Sequence, residues 1–179
     1  MNNIKLSAPK NEARTNQINT AVAAEATAFI RSPRIRRWVI REFNFVTSRL
    51  YLSVNSARGR RTNKKERLNE LLGDLVGAVE MLEADTEYYE GEINEAVFPG
   101  ETYTLRIISP FAATIYRLLV RADVACTKLY MSEFNGKLDH DKRELLLEPV
   151  TQALLGIKQF SIGHIPKTAA QMAEELEIG

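Results

Sequence analysis

A single cysteine, Cys126, leaves the chain unable to close an internal disulfide, which excludes a disulfide-stapled scaffold and fits a reducing compartment. Histidine is nearly as scarce. His140 and His164 stand apart and lack the spacing with Cys, Asp or Glu that a metal centre needs. No run reaches the ~18–20 apolar residues of a membrane span, and Met1-Asn-Asn-Ile-Lys opens a polar segment rather than the apolar core of a signal peptide. Nucleophile elbows, phosphate loops and dinucleotide fingerprints are also missing. Together these absences predict a soluble, cytoplasmic protein that is not an enzyme, holds no cofactor or metal, and offers no evident small-molecule ligand site. Cys126 lies on the apolar side of a helical pattern, where a small buried hydrophobe is its ordinary role.

Net charge is scarce too, at +1, but that value conceals a block division. Residues 31–67 hold twelve Lys or Arg against two Glu, and residues 68–101 hold ten Asp or Glu and no Lys or Arg. Such a division gives opposed fields on one molecule. Two readings stay open: solvated helix faces that pair with each other, or a basic surface that meets phosphates. The second singles out Arg58, Arg60, Arg61, Lys64 and Lys65, which would add phosphate affinity without sequence preference.

Most of the chain carries helical periodicity. Helices are predicted over about Ala13–Arg31, Pro33–Ser56 (after the Ser32-Pro33 start signal) and Asn63–Glu95, the last two forming an antiparallel hairpin. A helix after Ser109 ends at Asn135-Gly136, and Asp139 can cap a last helix that Pro149 either kinks or delays. Only Glu101-Thr-Tyr-Thr-Leu-Arg-Ile-Ile-Ser-Pro110 reads clearly as a strand. Tyr103, Leu105 and Ile107 fall on one side and Thr102, Thr104 and Arg106 on the other.

A lone strand cannot satisfy its backbone donors and acceptors. With only helical patterns elsewhere, the partner left is the same strand of a second copy, giving a homodimer with a two-stranded ribbon. The order strand, helix, Asn-Gly turn, helix matches the ribbon-helix-helix plan. Its polar face would place Thr102, Thr104 and Arg106 against base edges in the major groove of double-stranded DNA. The first turn of the last helix, with Lys137, Lys142 and Arg143, would hold a phosphate, although Asp139 and Asp141 share that turn. A plain dimerisation strand that touches no DNA is the alternative. The expected architecture is mostly α: a helical hairpin domain at 11–98, a ribbon-helix-helix unit at 99–162 and a tail at 163–179.

The helical hairpin, Tyr103-Thr-Leu-Arg-Ile-Ile-Ser-Pro-Phe111, Leu119-Val-Arg-Ala-Asp123 and Ile157-Lys-Gln-Phe160 give the chain a resemblance, over roughly residues 20–162, to AcaB-type proteins. These are transcriptional regulators of conjugative plasmids and integrative conjugative elements. The resemblance implies a dimeric ribbon-helix-helix protein that activates conjugative-transfer genes through the promoter of a master activator. It places the DNA-reading strand on Thr102, Thr104 and Arg106. The alternative from another class is an interaction or scaffold protein of the transfer machinery, in which the acidic helix of one copy meets the basic region of another.

Overall fold

The computed structural model describes residues 4–5, 24–56, 63–89 and 93–164. Three strands, β1 (Ile4–Lys5), β2 (Ala24–Ile30) and β3 (Glu101–Ile107), make one sheet in the order β1-β3-β2. The helices are α1 (Pro33–Trp38), a π-helical turn (Val39–Phe43) leading directly into α2 (Asn44–Asn55), α3 (Lys64–Glu87), α4 (Pro110–Phe134) and α5 (His140–Ser161).

β3 forms where its alternation predicts, with Tyr103 and Leu105 buried and Thr102, Thr104 and Arg106 half-buried on the other face. Its partner overturns the expected fold class. β2 runs antiparallel to β3 along its whole length, from Ala24 opposite Ile107 to Ile30 opposite Glu101. β1 lies parallel on the other side, opposite Tyr103 and Thr104. β3 is therefore the central strand of its own chain's sheet, and the place reserved for a second copy is already taken. The ribbon-helix-helix unit expected at 99–162 is not the architecture of this protein.

The strand at Ala24–Ile30 also replaces part of the helix predicted over Ala13–Arg31. Alanine favours helix, and Ala26 and Phe29 keep a helical spacing, whereas Ala26, Ala28 and Ile30 keep an alternating one. The contest is settled by pairing. Ala28 and Ile30 turn inward and are buried, and Phe29 on the outward face stays exposed. Small inward residues let the sheet lie close to α4, the helix it packs against.

Local signals set the helix ends. The Ser32 and Ser109 hydroxyls accept the N–H groups of Ile35 and Ala112, each before a first-turn proline. Asp139 caps α5 through the Lys142 N–H at 2.7 Å. Gly136, at φ +70°, turns the chain out of α4. Pro149 sits inside α5 without ending it, and the residue whose carbonyl it leaves unbonded, Leu145, is well exposed to water.

The π turn keeps the first helical stretch in register with the core. Its buried residues are Ile35, Val39, Phe43, Val46, Leu50 and Val54. At about 100° per residue, an unbroken α-helix would carry Val54 roughly 100° around the axis from Ile35. One residue absorbed in the π turn removes that drift, and the Thr47 hydroxyl donates to the Phe43 carbonyl at 2.8 Å. The expected hairpin is loose: α2 touches α3 less than it touches α5, and α3 packs mainly on α4 and α5. One hydrophobic cluster, including Leu50, Leu68, Tyr103, Leu119 and Ile157, runs through all of these elements.

Candidate nucleic-acid interface

The outward face of the sheet carries the three residues expected to read bases. Register sets Thr104 beside Thr27, Thr102 beside Phe29, and Arg106 beside Glu25. Each of the three is half-buried. The acid opposite Arg106 belongs to the strand that sequence periodicity had assigned to a helix. A carboxylate directly across the strand pair offsets part of the guanidinium charge.

The proposed phosphate pocket at the start of α5 is largely occupied by its own residues. Arg143 is buried, ion-paired to Glu133 and Glu144, and stacked over the Tyr130 ring at 4.3 Å. The Lys142 N–H, which would face an anion, is given to the Asp139 carboxylate. The Lys142 side chain and Lys137 are exposed, with Asp139 and Asp141 beside them. This end of the molecule is a folded ion cluster with a cap, and phosphate would have to compete with four carboxylates. Arg58, Arg60 and Arg61 lie outside the described residues. Lys64 donates to the Ser53 hydroxyl at 3.1 Å, and Lys65 is exposed.

Among the described residues, a basic surface lies on the stretch Pro33–Asn55. Arg37, Arg41, Phe45 and Arg49 are all exposed and follow one another at four-residue steps. Without the π turn that spacing would spiral away from a single face; with it the four share a stripe opposite the buried one. Successive positions are about 6 Å apart along the axis. Among the described residues, most arginines are tied to carboxylates: Arg31 to Glu95, Arg34 to Glu144, Arg36 to Glu101, Arg67 to Glu70, Arg121 to Glu83 and Arg143 to Glu133. Arg37, Arg41 and Arg49, like the separately placed Arg106 and Arg117, have no such partner; Arg49 lies over the Phe45 ring at 5.7 Å. Sequence reading counted these three within the basic block and did not single them out. Their four-residue spacing was the available signal.

Among the described residues no group of His, Cys, Asp and Glu is placed to hold a metal ion, and no helix is long and apolar enough to cross a membrane. The Cys126 thiol is fully buried, and burial pushes its pKa up to about 12.

No protein-family model matches the sequence, and no curated protein sequence matches it. Among solved structures, the crystal structure of selenomethionine-containing AcaB from uropathogenic E. coli is similar, with a TM-score of 0.56 and 20% sequence identity. The likeness covers 79% of this chain and 78% of that one. At that identity it establishes one thing: this chain has a fold like that of AcaB.

Proposed function

We propose that the protein is a DNA-binding transcriptional regulator that holds duplex DNA chiefly through the stripe of Arg37, Arg41 and Arg49. The observation that carries this reading is the contrast among arginines. Most of those described are neutralised in place, whereas these three stand together, exposed and unpaired. A row of guanidinium groups on a rigid helix suits phosphates, which take paired N–H donors in a plane. Lys65 and the connecting residues Arg58, Arg60 and Arg61 would extend the same phosphate contact. The outward sheet face, with Thr27, Thr102, Thr104 and Arg106, supplies hydroxyls and one guanidinium suited to base edges. In this role the sheet works within one subunit, not as a ribbon shared by two. The similarity in fold to AcaB supports regulation, and activation of conjugative-transfer genes is the specific form proposed.

The test is binding of the protein to random duplex DNA across a salt series. Tight binding at low salt that weakens steeply as salt rises supports the reading. The exposed acids Glu66, Glu70 and Asp74 on α3 favour a second reading, an interaction protein in which this face meets the arginine stripe of another copy. Salt-sensitive self-association with no DNA binding at low salt would select that alternative.

A further inference from the structure

A cleft of about 210 Å³ lies between α5 and the stretch formed by α1 and the π turn. Its walls are chiefly apolar, with Val150 and Leu154 of α5 on one side and the Trp38 ring on the other. Three charged residues line it. Arg34 is held by Glu144 and by the Thr151 hydroxyl at 3.2 Å, and Lys158 is held by Glu42 at 2.7 Å.

We propose that this cleft is a binding site for a small aromatic carboxylate. Size sets the body of the ligand: an apolar cavity of about 150 Å³ accommodates benzene, so this space takes one ring with a short substituent. Trp38 provides a flat aromatic wall, which favours a planar ring over a branched aliphatic group. Spare donors set the substituent. Arg34 is paired with Glu144 and Lys158 with Glu42, so neither cation of the cleft lacks a carboxylate. An ammonium has three donors, and a single carboxylate oxygen, Oε1 of Glu42, lies on that of Lys158. Lys158 is partly exposed, so a second carboxylate can reach it from solvent.

Trp38 is the chain's one tryptophan, so its fluorescence reports on the wall of this cleft. Phenylacetate is the probe, with phenylacetamide as its uncharged counterpart. The expected result is a saturable change with phenylacetate and at least about tenfold weaker binding of phenylacetamide, the loss of one charge-assisted hydrogen bond. Lys158→Met, which keeps the apolar stem, should abolish that preference. Leu155→Phe, placed at the exposed edge of the cleft, should weaken both probes by narrowing the space. No saturable change, equal affinity for the two probes, an undiminished preference in Lys158→Met, or unaltered affinity in Leu155→Phe would each overturn the proposal.

Discussion

The carboxylate of Asp123 in α4 receives the backbone N–H groups of Arg31 and Ser32, at 2.9 and 2.7 Å, across the ninety-one residues that separate it from Ser32. This contact pins the point where β2 becomes α1. Asp123 is buried, and so is the Ser32 N–H that it satisfies, which has no water to turn to. Asp123→Ala should therefore cost about 2–4 kcal/mol, the penalty of orphaning these donors, measured by urea denaturation. The same carboxyl has a pH signature. Burial raises its pKa above the ordinary 3.8, more than the hydrogen bonds from Arg31 and Ser32 lower it. The native state then holds the proton more tightly than the unfolded chain. Its contribution to stability is fully present below 3.8 and is lost as pH rises through the native value. Asp123→Asn should remove that component from the stability-against-pH profile.

Cys126 lies on the same helix, one turn from Asp123. With its pKa pushed up to about 12 by burial, the thiol should resist iodoacetamide in the native protein. Alkylation should be at least about a thousandfold slower than in urea, because the thiolate fraction falls about tenfold per pKa unit. Equal rates in the two states would mean the α4 core is open.

Gly100 joins the acidic segment to β3 at φ +70°, and a Cβ there would come 2.6 Å from Phe29 Cζ and 2.9 Å from Arg31 Cγ. Gly136 has the same φ with open space around it. Gly136→Ala should cost about 1 kcal/mol for the left-handed backbone alone. Gly100→Ala should cost more, about 2 kcal/mol, since the Phe29 ring and the Arg31 side chain must also shift. Thermal midpoints of the two variants measure the difference.

Glu25 stands opposite Arg106 on the outward sheet face. If that face meets base edges, Arg106→Ala should flatten sequence preference, a loss of about 1–3 kcal/mol of discrimination. Glu25→Ala should tighten binding by removing a carboxylate from the contact. Competition between selected and random duplexes checks both, and unchanged preference in Arg106→Ala would remove the sheet from base reading.

Local chemistry was legible in the sequence. Ser32, Ser109 and Asp139 cap the helices they were expected to cap, Gly136 ends α4, and β3 buries Tyr103 and Leu105 as alternation requires. The partner of β3 was not legible, because Ile18, Val22, Ala26 and Phe29 keep a helical spacing that masks the alternation of Ala24, Ala26, Ala28 and Ile30. That error created the lone strand and hence the ribbon between copies. The π turn left no mark in composition, yet it decides which arginines share a face. Arg143 looked like any basic residue near a helix start; its burial against Glu133, Glu144 and Tyr130 depends on how α4 and α5 meet. Long-range contacts such as Asp123 to Ser32 have no sequence period at all.

The central claim is that the arginine stripe holds DNA, and the salt dependence of duplex binding tests it most directly. Each neutralised phosphate adds about 0.9 to the slope of log K against log salt. The triple variant Arg37→Ala, Arg41→Ala, Arg49→Ala should lower that slope by about 2–3 relative to the wild-type protein while keeping its thermal midpoint. A slope unchanged in the folded triple variant would contradict the account.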